Sequence, residues 1–307
     1  MTDAVVICEC FARDGLQHEP AFLPSGQKIA LIDAFTAVGF QRIEATSYSN
    51  PKVVPAFADA SEVLAGIRRK DGVFYKATCP NPRAVARAVA DSEAGYGPNE
   101  ISLLVSATEA HSERNLKSSR AAQWANVEAM VAAAQGRFRL IGTISVAFGC
   151  PFEGQVDAGT VIADAARFAA LGVRHVTLGD TTGLATPRTT KALFEAVAAA
   201  VPELTLIAHF HNTRGTGLAN CVAAYEAGVR NFDSAFGGIG GHPAQFVYGG
   251  GFTGNVATED LVNMFEAMGV PTGLDLTALI ETAHRCEEVL GRQLHSMVAR
   301  SGLGLVA

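Results

Sequence analysis

The feature that most constrains the fold is a regular alternation of short apolar segments with segments of helical apolar spacing. The apolar segments contain β-branched residues and no internal proline, which is typical of buried strands. We predict eight strands, at residues 5–8, 42–46, 73–78, 100–105, 138–146, 175–180, 204–211 and 231–235. Strands that alternate with helices form parallel sheets, and eight such units predict an α/β fold, the (β/α)8 TIM barrel.

A chain of 307 residues suits one large domain or two smaller ones, and α/β barrels often reach this size as one domain. The predicted barrel covers about residues 5–256. Residues 257–307 are predicted to form extra C-terminal helices, which pack on the barrel or on a sister subunit. We therefore expect a single domain over residues 1–307, and we expect a homodimer or a higher homo-oligomer.

Composition excludes several classes of protein. A hydrophobic content of 49% with 18% charged residues is typical of a globular enzyme. The net charge is -6 and the basic residues are scattered, so we expect neither a nucleic-acid partner nor a membrane partner. The N-terminus lacks the basic and apolar regions of a signal peptide, which favours the cytoplasm. Six cysteines without a Cys-x-x-Cys pair indicate buried thiols and no disulfide framework.

His209 and His211 stand at the end of the seventh predicted strand. Alternate residues of a strand project from the same face, so the two imidazoles are predicted to converge on one point. Two such imidazoles commonly provide half of the protein ligands of a divalent metal site. The simpler alternative is that the two histidines are unrelated, one in the core and one at the surface. The polar residues at the other strand ends decide between this alternative and a metal site.

Polar side chains stand at or just after the ends of other predicted strands, at the edge of a barrel where active sites form. They are Arg13, Asp14, Glu44, Thr46, Asp180 and Thr181. Buried charges are costly unless they are paired or bind a metal. Asp14 with the two histidines is a ligand set suited to Mg²⁺, Mn²⁺ or Zn²⁺. Taken singly, Asp14 also fits an ordinary turn, and Glu44 also fits an ion pair inside the barrel.

Two glycine clusters follow the eighth strand, at residues 237–241 and 249–254. Glycines at this density fit a lid or an anion-binding loop, but they also fit a tight strand-to-helix connection. The sequence contains neither a Walker lysine motif nor Gly-x-Gly-x-x-Gly after the first strand, so a nucleotide-hydrolysing or nicotinamide-dependent enzyme has no support.

Several short motifs resemble those of the 3-hydroxy-3-methylglutaryl-CoA lyase family, which belongs to a group of metal-dependent barrel lyases and synthases. They are Arg13-Asp-Gly-Leu-Gln17, Ile43-Glu-Ala-Thr-Ser47, Gly149-Cys-Pro-Phe-Glu-Gly154, Gly179-Asp-Thr181, His209-Phe-His211 and Gly254-Asn-Val-Ala-Thr-Glu-Asp260. All occur in order, from residue 5 to about residue 265. The Arg-Asp-Gly-Leu-Gln form resembles the lyases more than the synthases.

The resemblance implies a role for each matching position. Asp14, His209, His211 and Asn255 match the residues that bind the divalent cation, with Mg²⁺ or Mn²⁺ preferred and Zn²⁺ compatible. Arg13 matches the arginine that stabilises the enolate oxygen of the departing acyl-CoA. Glu44 and Asp180 match acidic residues that support the metal and the substrate. Either Asp180 or a histidine is expected to accept the hydroxyl proton.

One position departs from the family pattern. Where the lyases carry a cysteine in the loop after the eighth strand, this chain has His242. A histidine titrates near neutral pH and could move the proton that the thiol moves in the family. It could equally be a loop residue in a relative with a changed substrate. Cys150 is expected to support the fold.

The resemblance thus implies a carbon–carbon lyase acting on a 3-hydroxyacyl-CoA. The leading candidate is cleavage of 3-hydroxy-3-methylglutaryl-CoA to acetyl-CoA and acetoacetate, a step of leucine degradation. One alternative is the same chemistry, or a condensation, on a different hydroxyacyl-CoA or hydroxy acid. A second is a scaffold protein that has lost catalysis, against which the intact polar set argues.

Overall fold

The structure is a computed structural model, and it describes residues 4–134, 136–241 and 254–303. Within these residues, eight parallel strands close into a barrel in sequence order, with β1 paired to β8. The predicted TIM barrel is therefore confirmed. The strands are β1 (Val6–Glu9), β2 (Arg42–Ser47), β3 (Phe74–Cys79), β4 (Glu100–Ser106), β5 (Arg139–Ser145), β6 (His175–Asp180), β7 (Thr205–Phe210) and β8 (Asn231–Ser234).

Helices connect successive strands and surround the barrel. They are α1 (Ser25–Val38), α2 (Ala60–Gly66), α3 (Pro82–Glu93), the single turn α4 (Glu109–His111), α5 (Arg120–Ala134), α6 (Ala158–Ala170), α7 (Pro187–Ala200) and α8 (Gly217–Glu226). The predicted C-terminal helices are α9 (Thr258–Ala267), α10 (Leu276–Leu290) and α11 (Val298–Ser301). No helix in the described part of the chain is long and apolar enough to cross a membrane.

Capping residues set several helix ends. Asn81 and Asp157 each accept a hydrogen bond from a backbone N–H of the first turn of α3 and of α6. Gly39 ends α1 with a φ of 110°, a backbone conformation that costs glycine little. The main apolar core lies between the strands and these helices, where Phe35, Phe168 and similar side chains are fully buried.

The segments after β1 and β4 contain helical turns. Residues Phe11–Gly15 form a π-helical turn, and a second one covers Ser112–Leu116 after α4. Short π-turns frequently occur at functional sites. The first turn carries Arg13 and Asp14 from the end of β1 to the top of the barrel.

Candidate active site

Three predicted metal ligands meet at the C-terminal ends of the strands. Nitrogen atoms of His209 and His211 and a carboxylate oxygen of Asp14 all lie within 4.8 Å of one another. The two Nε2 atoms are 3.2 Å apart, and His211 Nε2 is 3.5 Å from Asp14 Oδ2. Two imidazole nitrogens at this distance need a proton or a cation between them, because their lone pairs otherwise repel.

Asn255 completes this cluster from the other end of the chain. A β-bridge joins it to His211, and its Nδ2 donates a hydrogen bond to Asp14 Oδ2 at 2.7 Å. Its Oδ1 is buried and has no hydrogen-bond partner among the described residues. An unpaired buried oxygen is costly. The carboxylate, the amide oxygen and the imidazoles are donor types that hold divalent cations, so this set fits a metal ion.

Asp233 supports the cluster from β8. Its Oδ2 lies 3.5 Å from His209 Nδ1, which leaves the Nε2 atom of that ring to face His211. Burial alone would lower the pKa of His209, but Asp233 and Asp14 raise it above its usual value. A carboxylate behind a ligating histidine orients the ring and increases its basicity.

Arg13 lies beside the cluster and is held on three sides. It forms an ion pair with Asp14, and its Nε lies 2.9 Å from Glu44 Oε1. Its Nε and one terminal nitrogen also donate to Thr78 Oγ1 at 3.1 and 2.9 Å, and Thr78 in turn donates to Glu44 Oε1 at 2.5 Å. Although burial alone would raise the pKa of Asp14, His211 and Arg13 hold it well below its usual range.

Asp180 is fully buried, and both of its carboxylate oxygens are engaged by the backbone. Oδ1 accepts from the Leu184 N–H at 2.7 Å and Oδ2 from the Ala185 N–H at 3.1 Å. Burial raises its pKa above the usual value despite these bonds. The carboxylate does not line the cavity described below, so its geometry fits an anchor of the loop after β6 better than direct support of a substrate. His242 lies outside the described residues.

A cavity of about 760 Å³ opens over the cluster at the mouth of the barrel. Arg13, Asp14, Glu44, His209 and His211 line it, so the structure brings five of the predicted site residues to one surface. Asn255 joins them through its hydrogen bond to Asp14. A volume of this size is typical of sites for small molecules and cofactors.

Lys76, Thr78 and Asp233 are among the cavity residues that the sequence analysis missed. The available signal was strand periodicity, since Lys76 and Thr78 share one face of β3 and Asp233 shares a face of β8 with Asn231. The register between strands determines which of these side chains are neighbours, and it pairs Lys76 with Glu44 of β2 and with Glu100 of β4. That register cannot be read from one strand alone.

Comparisons with known proteins agree with this geometry. Residues 4–285 match the sequence profile of the HMGL-like family. The chain belongs to the HMGL-like family. A lyase of this family from Pseudomonas aeruginosa, named for 3-hydroxy-3-isohexenylglutaryl-CoA and hydroxymethylglutaryl-CoA, is 38% identical over 298 residues, which cover 97% of this chain and 96% of the relative.

Two further similar proteins extend the comparison. An (R)-citramalyl-CoA lyase from Chloroflexus aurantiacus is 35% identical and covers 98% of this chain and 95% of its own length. The solved structure of an HMG-CoA lyase from Acinetobacter baumannii, in complex with coenzyme A and 3-methylmalate, is 40% identical with a TM-score of 0.91, over 98% of this chain and 95% of that one. This member of the HMGL-like family is therefore a carbon–carbon lyase.

Proposed function

We propose that this chain cleaves 3-hydroxy-3-methylglutaryl-CoA to acetyl-CoA and acetoacetate. The observation that carries the proposal is the cluster of Asp14, His209 and His211 next to Arg13, at the mouth of a cavity on a barrel of the HMGL-like family. The family and the relatives supply the reaction class, and the cluster supplies the donor types that this reaction needs.

Asp14, His209, His211 and Asn255 are the residues that would hold a divalent cation, with Mg²⁺ or Mn²⁺ preferred. The buried and unpaired Asn255 Oδ1 supports this assignment. When bound, such a cation acts as a Lewis acid that lowers the cost of negative charge on substrate oxygens. Zn²⁺ is compatible with the same donors.

Arg13 provides the second positive charge. Cleavage of the carbon–carbon bond moves an electron pair from the hydroxyl oxygen, through the new ketone, onto the thioester as an enolate. A guanidinium that faces the enolate oxygen stabilises charge that develops only during the reaction, which is the way an active site gains rate. Glu44 and Thr78 hold the Arg13 side chain, so little reorganisation is needed.

Two proton transfers are required, one from the hydroxyl group and one to the methylene carbon of the enolate. We assign proton delivery to His242, which the resemblance puts in the place of the loop cysteine. For the hydroxyl proton, we propose a histidine that acts through a water molecule as the acceptor, because each Asp180 oxygen already accepts a backbone N–H. Asp180 instead positions the loop after β6.

A second candidate function is cleavage of a different hydroxyacyl-CoA by the same residues. Replacement of the loop cysteine by His242 favours it, as does the range of names among relatives at similar identity, which includes (R)-citramalyl-CoA lyase. The predicted cytoplasmic location, the role in leucine degradation and the homo-oligomeric state remain predictions.

The deciding experiment is acetoacetate release from 3-hydroxy-3-methylglutaryl-CoA with added Mg²⁺ or Mn²⁺. We expect turnover by the wild type, a loss of about 100-fold or more in His242→Ala, and substantial activity in His242→Cys, because general acid–base groups contribute about 10²- to 10⁴-fold. A metal-loaded wild type without turnover would contradict the proposed substrate. Full activity of His242→Ala would contradict the proposed proton donor.

A further inference from the structure

Lys76 is a buried lysine in the centre of the barrel. Its side chain is 5% exposed and points inward from β3, where the register pairs Lys76 with Glu44 on one side and Glu100 on the other. Lysine is rarely buried without a dedicated partner. The steps proposed above for the lyase reaction do not use it.

A second buried lysine of the same chain shows how a purely structural lysine is satisfied. Lys28 Nζ donates to the Ala56 carbonyl at 2.6 Å and to the two Asp59 carboxylate oxygens at 2.8 and 3.0 Å. Among the described residues, Lys76 Nζ has no contact of this kind. Its two carboxylate neighbours, Glu44 Oε2 and Asp233 Oδ2, lie at 3.5 and 3.9 Å.

Both of these carboxylates also have other cationic neighbours. Glu44 Oε1 accepts the hydrogen bond from Thr78 and forms the ion pair with Arg13, and Asp233 faces His209 and lies 3.6 Å from Arg42. Lys76 lines the cavity. Its ammonium group therefore keeps hydrogen-bond donors that the surrounding protein groups only partly satisfy, and these donors are within reach of a bound ligand.

With His209 and His211 neutral, as ligands of a cation must be, the ion-paired charges of the described barrel interior are balanced before anything binds. The ion-paired set contains four cationic side chains, Arg13, Arg42, Lys76 and Arg139, and four anionic ones, Asp14, Glu44, Glu100 and Asp233. A divalent cation would leave a positive excess in a buried site, and excess buried charge is costly. A substrate that brings negative charge of its own would restore the balance.

We propose that Lys76 binds the free carboxylate of the acyl group, at the end of the substrate opposite to the thioester. Ser102 lines the cavity on the neighbouring strand, with its hydroxyl oxygen 3.3 Å from that of Thr78, and can donate a hydrogen bond to the carboxylate, whereas the Thr78 hydroxyl already donates to Glu44. The proposal rests on the proposed function, since it concerns the same cavity. It restricts the substrates to coenzyme A thioesters of dicarboxylic acids.

The neighbouring carboxylates favour the charged form of Lys76. Burial alone would lower the pKa of the Lys76 ammonium, but Asp233 and Glu44 keep it well above its usual value. The lysine thus remains a cation at neutral pH, which is the state that a carboxylate recognises. The lysine supplies a compact point charge with three donors.

The test compares two inert ligands that differ in the terminal carboxylate. Glutaryl-CoA carries it, and pentanoyl-CoA has a neutral methyl group in its place. We would measure both Kd values by isothermal titration calorimetry on the Mn²⁺-loaded protein. We expect the wild type to prefer glutaryl-CoA and Lys76→Met to lose about 10- to 100-fold of this preference, with little change for pentanoyl-CoA. Lys28→Met is the matched control and should keep the wild-type preference.

Removal of the Lys76 ammonium also leaves the carboxylates of Glu44 and Asp233 with less compensating positive charge. If Lys76→Met does not fold, the double variant Lys76→Met with Glu44→Gln restores the balance of charge. A preference for glutaryl-CoA that survives in the folded variant would overturn the proposal, and so would a wild type without any preference. Cleavage of 3-hydroxy-3-methylglutaryl-CoA is assayed separately. A protein that fails to cleave it but shows the Lys76-dependent preference would contradict the proposed function alone.

Discussion

Asn255 and Asp14 are joined by a hydrogen bond of 2.7 Å although 241 positions separate them in the chain. The same Asn255 Nδ2 also donates to the Ile239 carbonyl at 3.0 Å, so both amide donor directions are occupied and Oδ1 remains the unpaired atom. This contact links the turn after β1 to the segment after β8. The closure of the barrel therefore builds the cluster from opposite ends of the sequence.

Removal of the Asp14 carboxylate should abolish metal retention. In Asp14→Ala we expect Mn²⁺ affinity to fall at least 100-fold and acetoacetate release to stop. The fold should persist, because Arg13 keeps its contacts with Glu44 and Thr78. Mn²⁺ titration followed by electron paramagnetic resonance measures the affinity, with Asp157→Ala, which removes only a helix cap, as the control. An active, metal-replete Asp14→Ala protein would refute the ligand assignment.

Asp233 is predicted to act through His209. We expect Asp233→Asn to weaken Mn²⁺ binding by about 10- to 100-fold, the usual effect of losing a carboxylate behind a ligating histidine. Its 3.5 Å separation from His209 Nδ1 is the observation behind this expectation. Calorimetric titration of the variant with Mn²⁺ provides the measurement. Unchanged affinity in a folded Asp233→Asn protein would mean that the His209 ring is oriented by other contacts.

Gly240 brings the loop after β8 against the cluster. Its φ is +116°, and an added Cβ would lie 2.5 Å from Asn255 Nδ2 and 3.3 Å from Asp14 Oδ2. We expect Gly240→Ala to reduce Mn²⁺ affinity and kcat at least tenfold, because the methyl group displaces two ligands. Gly95→Ala is the matched control, since Gly95 also has positive φ but open space around it. Equal effects in both variants would show that backbone strain alone is responsible.

Glu9 should make stability depend on pH. Its carboxylate accepts hydrogen bonds from the backbone N–H groups of Phe11 and Phe236 and from Thr258, yet burial raises its pKa to about 8. Between its ordinary pKa of 4.5 and about 8, the folded state binds more protons than the unfolded state. The free energy of unfolding therefore falls as pH rises through this range.

Glutamine at position 9 cannot ionise, so Glu9→Gln should lose this part of the pH dependence. We expect its Tm, relative to that of the wild type, to be higher at pH 8.5 than at pH 5.5. Thermal unfolding at both pH values checks this, with glutamine in place of the exposed Glu195 as the control. Parallel changes in Tm for Glu9→Gln and the wild type would mean that Glu9 ionises in the folded protein as it does in the unfolded one.

Local sequence was sufficient for the barrel and for much of the site. Apolar runs such as residues 204–208 predict buried strands because burial on both faces requires apolar side chains throughout. Alternation along a strand likewise predicts that His209 and His211 converge, as they do. The resemblance added Asn255 to this set, and the described structure puts Asn255 against Asp14. The single-domain boundary remains a prediction.

Tertiary structure alone decided which charges meet inside the barrel. Lys76 lies near both Glu44 and Asp233, and both contacts depend on strand register and on barrel closure. The sequence of a single strand specifies neither the register nor the closure. The same holds for Asp180, whose position at the end of β6 predicts an active-site acid, although its oxygens accept hydrogen bonds from the backbone of the following loop. Sequence determines the period and polarity of each element. The pairing of distant elements determines which polar atoms remain free for a ligand.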